Sequence, residues 1–465
     1  MTAPDANVSA GGDDAPLYPP TVTPPEEALG LARFLVRFVR NPIATLPRQV
    51  YEQSLFRLPR ERPPAVWVTD PELTDIVLLR QSASFPKTEL ERRVFAPALG
   101  HGILTSEGEA WRWQRKCAAP MFRHGELLAY VPAMAAAAEA QLARWRSRAP
   151  GALAAIDADM TETTFDVVTH TILSGCDARE GAVIKDAGQR FLEPISWPIV
   201  YAMLRLPVWL WHPGRKRMLA AAAQERGAVR ALARRRRAEP GHRGDLLARL
   251  LAARHPDTGE AMSEDMLVDN LVTFLAAGHE TTAKALTWTL YLLARAPHWQ
   301  RRVRAEVREV AGFRPIAAAD IARLSITQRV LKEAMRLYPP APVLTRVAAH
   351  AVRLGEHDIR AGMLVVMPIF AIHRHRRLWD DPDRFDPDRF LPEREGTLAR
   401  TQYMPFGFGP RTCIGSSFAM IEATALLATL VRGAEFGWDG RHAPQPVSRV
   451  TLRPEGGMPL RVTTL

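Results

Sequence analysis

The sequence predicts a mainly α-helical, α+β chain: a large helical domain around one long central helix, with a small β-sheet region beside it. Three observations predict this. Apolar residues recur at helical spacing through most of the 465 residues. The segment from Glu264 to Ala296 keeps that spacing for about nine turns. Extended, β-branched runs are confined to a few short stretches. The hydrophobic fraction, 47%, is ample for a core. No Gly/Ser linker, repeat or charge block divides residues 28–465, which read as a single domain. Residues 1–27, rich in Pro, Asp, Gly and Ala without periodicity, read as a flexible N-terminal tail.

The first helix is expected over Leu31 to Arg40. Arg33, Arg37 and Arg40 fall on one face, with Phe34, Leu35 and Phe38 opposite. It is too short and too charged to span a bilayer. Docking on the protein's own core is expected, with peripheral contact to a membrane surface as the alternative. Ala65-Val66-Trp67-Val68 reads as a strand, and Trp111 and Arg115 sit one turn apart on a helix. Arg234 to Arg237 precede Glu239-Pro240-Gly241, where a helix should stop, so the run reads as a solvated helix terminus. The central helix has Ser263 as N-cap, Glu264 and Asp265 in its first turn, and Pro297 as its stop. Its nearly continuous apolar stretch from Leu271 to Ala277 places it in the interior. Strand-like pieces follow between Ala348 and Gly362, at Leu364 to Met367, and from about Val450 to Val462. The early and late strands are expected to share one small sheet.

The net charge is +11, with 61 Lys and Arg against 50 Asp and Glu. The basic residues are scattered along helical faces and no nucleic-acid fold motif accompanies them, so a nucleic-acid partner is not expected. An acidic protein partner fits the excess better. The three cysteines, Cys117, Cys176 and Cys413, are odd in number and lack paired spacing, which argues against a disulfide scaffold or zinc site. Cys117 and Cys176 read as reduced, buried small hydrophobes. With no secretory signal at the polar, Pro-rich N-terminus, a cytoplasmic location is expected.

Chemistry concentrates near the C-terminus, in Phe406-Gly407-Phe408-Gly409-Pro410-Arg411-Thr412-Cys413-Ile414-Gly415. The glycines let the backbone run close to a flat partner without a Cβ in the way. The helix opening at Ser416 turns free N–H groups toward the sulfur, and Arg411 adds a fixed positive charge; both favour thiolate over thiol. This is an environment for a single anionic sulfur ligand to a metal. The loop resembles the haem-ligand loop of the cytochrome P-450 family, Phe-x-x-Gly-x-Arg-x-Cys-x-Gly, with every fixed position filled.

Further motifs follow the family's order. In the central helix, Ala277-Gly278-His279-Glu280-Thr281-Thr282 puts a glycine and a carboxylate where both are locally unfavourable. The segment resembles the family's oxygen-activation motif. That resemblance implies close approach to dioxygen at Gly278, a hydrogen-bonding alcohol at Thr281 and proton supply from Glu280. Glu333, Arg336 and, in Pro387-Asp388-Arg389-Phe390, Arg389 match the family's buried ion network; Asp388 replaces the usual Glu. Trp111, Arg115, Arg346 and Arg411 match the positions that grip the two haem propionates.

The resemblance implies the cytochrome P-450 fold and haem b, its iron bound by Cys413 and its porphyrin flanked by Phe406 and Gly415. It further implies monooxygenation with O₂. Apolar residues at Phe85 to Leu104, Phe191 to Trp211, Phe274 to Ala277, Val343-Leu344 and Val447 to Thr451 suggest a lipophilic substrate, fatty acid or terpenoid-like. No flavin or nicotinamide domain follows the haem region, so electrons are expected from an acidic ferredoxin or flavodoxin with its reductase. Arg112 and Lys116 are candidate docking charges. A peroxide-driven peroxygenase ranks second, since such relatives lack the acid–alcohol pair. A haem-binding sensor without turnover would need no proton relay and ranks last.

Overall fold

The computed structural model describes residues 15–57, 65–149, 151–172, 176–204, 206–207, 209–239, 245–255 and 257–465. Its spine is the helix Glu264–Arg295. Ser263 Oγ accepts the Met266 N–H at 3.2 Å, Glu264 and Asp265 occupy the first turn, and Pro297 opens the next helix, Pro297–Ala311. Its 32 residues span about 48 Å at 1.5 Å each. Nearly every residue from Leu267 to Ala294 is buried; the break comes at Ala276, Ala277, Gly278 and Thr281, which border a cavity.

Helix Ile156–Thr171 lies most extensively along this spine, with Thr164 Oγ1 donating to the His279 carbonyl at 2.8 Å. Helices Arg215–Ala238, Ser325–Leu337 and Ser416–Gly433 also pack against it. Trp288, fully buried, stacks on Tyr338 with ring centroids 3.8 Å apart and donates its indole N–H to Leu452 O at 3.1 Å. Its polar atom is thus satisfied while its rings fill the core.

The strands form small separate sheets. Leu55–Arg57, Ala65–Val68, Leu364–Met367 and Leu344–Val347 make a four-stranded sheet in that order, with Val66 opposite Val365 in its parallel pair. Leu153–Ala155, Pro459–Thr464 and Ala434–Gly437 form an antiparallel trio. The expectation that early and late strands share one sheet holds for Ala65–Val68 and Leu364–Met367, and is corrected only for the C-terminal strands. Leu344–Val347 takes the free edge of Leu364–Met367, and the C-terminal strands pair elsewhere.

Glu333 and Arg336 are fully buried. Two bonds join them, Nε to Oε2 at 2.7 Å and Nη2 to Oε1 at 2.8 Å. Arg336 also donates to the carbonyls of His373, Pro382 and Arg384, while Asp386 N–H donates to Glu333 and Arg389 lies 3.6 Å from it. The network ties the segment from His373 to Arg389 to helix Ser325–Leu337.

Three expectations change. Residues 15–27 are packed rather than flexible: Leu17 and Val22 are buried, Leu17 O accepts Phe385 N–H at 2.9 Å, and Pro20 O accepts the Tyr338 hydroxyl at 2.6 Å. Residues 1–14 lie outside the described residues. The arginine run is not simply solvated. Arg234 pairs with Glu264 at 2.8 Å, Arg235 with Glu180 at 2.5 Å, and the buried Arg236 with Asp245 at 2.9 Å. Finally, Cys117 and Cys176 are only half-buried. Helix Leu31–Arg40 turns Phe34, Leu35 and Phe38 to the cavity and packs on helix Ser196–Met203.

Candidate active site

The Cys413 loop is closed by its own backbone. Cys413 N–H donates to Phe406 O at 2.9 Å, Gly407 N–H to Met404 O at 3.0 Å, and Thr412 N–H to Gly409 O at 3.0 Å. Gly407 and Gly409 adopt φ of 70° and 74°, the left-handed region that disfavours side chains. At Gly409 a Cβ would also collide with the Leu78 carbonyl, whose carbon would lie 2.8 Å away. The chain then turns at Gly415 into helix Ser416–Gly433.

Cys413 exposes surface to the cavity although protein encloses it on the other sides. Burial pushes its thiol up; the Gly415 N–H and the Arg115 charge oppose this and do not outweigh it. Arg411, expected from the sequence to lend its charge to the sulfur, has its guanidinium engaged elsewhere. It pairs with Glu107 at 2.5 Å, donates to Ser106 O at 3.0 Å, and stacks on Trp111 at 3.8 Å. A coordinated cation would supply the remaining bias toward thiolate.

The cavity carries an excess of positive charge. Lys87, Arg115, Arg346 and Arg411 all border it. Arg346, 7% exposed, donates to Thr345 O at 2.7 Å. Burial pushes all four of these cations below their ordinary values. Arg411 Nη1 is buried with no hydrogen-bond partner. An unpartnered guanidinium nitrogen inside a cationic wall calls for an anionic guest. Lys87 was missed in the sequence, where nothing distinguished it from other loop lysines; it donates to Leu104 O at 2.7 Å and lies 3.4 Å from Glu91.

Across the central helix the polar groups divide. Thr281 Oγ1 donates to Ala277 O at 2.7 Å. Glu280 is buried and accepts from Thr451 at 2.7 Å and from Arg453. Burial alone would raise its carboxyl, but Arg453, Thr451, Lys284 and His279 together hold it below the usual carboxylate range. Arg453 and Thr451 are 173 and 171 residues away in sequence, with no local signal to reveal them. Gly278 borders the cavity, yet a Cβ there would come within 3.2 Å of Val168 Cγ2. Its smallness therefore also serves helix packing, while Ala277 beside it is the more exposed to the cavity.

The cavity encloses about 1850 Å³ and brings together Trp111, Arg115, Gly278, Glu280, Thr281, Arg346, Phe406, Arg411, Cys413 and Gly415. Its remaining wall is largely apolar, including Val94, Phe95, Leu99, Phe274, Val343 and Leu344. Among the aromatic residues expected from Phe191 to Trp211, Phe191 lines it, while Trp209 and Trp211 are 72% exposed.

One cysteine sulfur at a cavity with cationic and apolar walls suits an oxygenase that works through thiolate-bound haem. The cytochrome P450 family model matches residues 35–459, and the chain belongs to that family. Similar proteins include cyclooctatin synthase of Streptomyces melanosporofaciens, 32% identical over 93% of this chain and 92% of that one. Cyclooctat-9-en-7-ol 5-monooxygenase of the same organism is 34% identical over 76% and 77%. The crystal structure of the cytochrome P450DA haem domain superposes with TM-score 0.83 at 28% identity, covering 96% of this chain and 98% of that one. The protein is accordingly a P450 monooxygenase, and its family binds haem through a cysteine thiolate. The cavity fits that group: a sulfur donor, a largely apolar wall and an unpartnered guanidinium nitrogen for a propionate. Among the described residues no helix is long and apolar enough to cross a membrane.

Proposed function

We propose that this monooxygenase inserts one oxygen atom of O₂ into a lipophilic, terpenoid-like or fatty-acid-like molecule, using electrons from separate carrier proteins. The observation that carries the reading is the cavity itself, in which the Cys413 sulfur faces a predominantly apolar chamber. Two similar proteins point the same way by name, one acting on cyclooctat-9-en-7-ol and one oxidising 11-oxo-beta-amyrin.

In this reading the haem, when bound, supplies reductive activation of O₂ and transfer of one oxygen atom. Cys413 Sγ would hold the iron, and Phe406 and Gly415 would border the group. Arg115, Arg346 and Arg411 would hold the propionates, with the Arg411 guanidinium kept over the Trp111 ring. Thr281 Oγ1, now donating to Ala277 O, presents its hydroxyl to the cavity on rotating about χ1. Glu280 recharges it through water after parting from Arg453. The apolar wall excludes bulk water and orients the substrate. Arg112 and Lys116, exposed on the helix face away from Trp111 and Arg115, suit an acidic ferredoxin or flavodoxin. A cytoplasmic location is part of the same proposal, consistent with free cysteines.

The absorption spectrum of the reduced, carbon monoxide-bound protein tests the ligand. A red-shifted Soret band that Cys413→Ala abolishes is expected; an ordinary haem band in the parent protein rejects it. Thr281→Ala is expected to lower product formed per reductant consumed by about tenfold or more, with peroxide released instead. Product and peroxide are assayed together, and unchanged coupling removes Thr281 from the proton path.

A further inference from the structure

Helix Arg215–Ala238, packed against helix Ala178–Leu192, contributes a carboxyl group to the cavity that the reaction does not use. Glu225 borders the cavity beside Gly188, Gln189 and Leu192, yet only 3% of its surface is exposed. The carboxyl faces Gly188 of the neighbouring helix, where a Cβ would lie 3.4 Å from Glu225 Oε1, in contact without collision. Among the described residues no hydrogen bond or ion pair ends on this carboxyl. The neighbouring cations are committed elsewhere. Arg226 lies 2.6 Å from Asp269 and donates to Ala98 O, while Arg190 on the facing helix pairs with Asp186 and Gln224.

A buried polar group without a protein partner is costly, and one that borders a ligand cavity can recover the loss from the ligand. Burial pushes Glu225 up to about 8, so near neutral pH its carboxyl is mostly protonated. It then offers one O–H donor and one carbonyl acceptor. A hydroxyl, itself donor and acceptor, satisfies both. A ketone uses only the donor, and an ammonium requires the ionised form.

We propose that Glu225 is a specificity residue that reads a hydroxyl on an otherwise apolar substrate, making the preferred substrate a lipophilic alcohol. This rests on the monooxygenase reading of the cavity. It also implies that an earlier reaction, one that installs or unmasks a hydroxyl, supplies the substrate.

Farnesol, farnesyl methyl ether and farnesylamine test it on the haem-loaded full chain, by isothermal titration and by ligand-induced absorption shift. The alcohol is expected to bind about tenfold tighter than the ether, the margin of a hydrogen bond in a desolvated site. In Glu225→Leu that ratio should fall to about one with ether affinity retained; Glu225→Gln should keep part of it. Equal binding of alcohol and ether by the parent protein, tighter binding of the amine, or no binding of the alcohol overturns the proposal. So does a ratio that survives in Glu225→Leu, or, if that variant does not load haem, one that is undiminished in Glu225→Gln. The carbon monoxide spectrum reports the haem-thiolate reading separately, so a normal band with a ratio of one rejects only the role of Glu225.

Discussion

Gly409→Ala is expected to destabilise the protein by about 4 kcal/mol or more and to remove most of its thiolate-ligated haem. Two effects add. At φ 74° an L side chain meets its own backbone, for about 1–2 kcal/mol. The new Cβ would also strike the Leu78 carbonyl, and a backbone group on a packed helical segment cannot swing aside as a side-chain tip can. The Cys413 loop must then lift, carrying the sulfur with it. Gly407→Ala is the control: its φ is 70°, but its Cβ would stand 3.5 Å from Leu344 Cδ1, an ordinary contact. Only the backbone cost of about 1–2 kcal/mol applies there. Urea midpoints and the height of the red-shifted carbon monoxide band per haem distinguish the two. Equal behaviour would show that contact with Leu78 does not set the loop's position.

Glu333→Ala is expected to cost about 3–5 kcal/mol, because it leaves a fully buried guanidinium without its counter-charge. Arg336 would keep its three carbonyl acceptors at His373, Pro382 and Arg384. Those bonds orient it but do not neutralise it. Asp386 N–H would lose its acceptor as well. Glu333→Gln, which preserves an acceptor at nearly constant shape, should lie between the variant and the parent. A urea midpoint for Glu333→Ala within error of the parent's would mean that the network adds nothing to stability. Since it anchors the segment from His373 to Arg389, early loss of structure there should appear as faster amide exchange.

What the sequence disclosed and what it hid divide along chain distance. The central helix was legible to within a residue because its signals are local: a Ser263 cap, two acidic residues and a proline. The Cys413 loop was legible because its glycines meet backbone demands within ten residues. Leu153–Ala155 gave no strand signal, because its pairing with Arg461 to Pro459 is decided by a partner over 300 residues away. The same holds for Arg453 on Glu280. Gly278 was visible, but its reason was not, since Val168 belongs to another helix. Glu225 looks in the sequence like any charge on a basic helix, since its burial beside the cavity depends on the facing helix.

The packed segment 15–27 has a consequence for the order of assembly. Its anchors, Tyr338, Asp381 and Phe385, lie more than 300 residues downstream; the Tyr18–Asp381 bond alone spans 363. On a ribosome adding about 5–20 residues each second, this segment waits roughly 15–75 s before its seat exists. It is therefore among the last pieces to dock, although it is among the first made. Because Tyr338 also stacks on Trp288, this segment ties the first-made residues to an aromatic pair at the central helix.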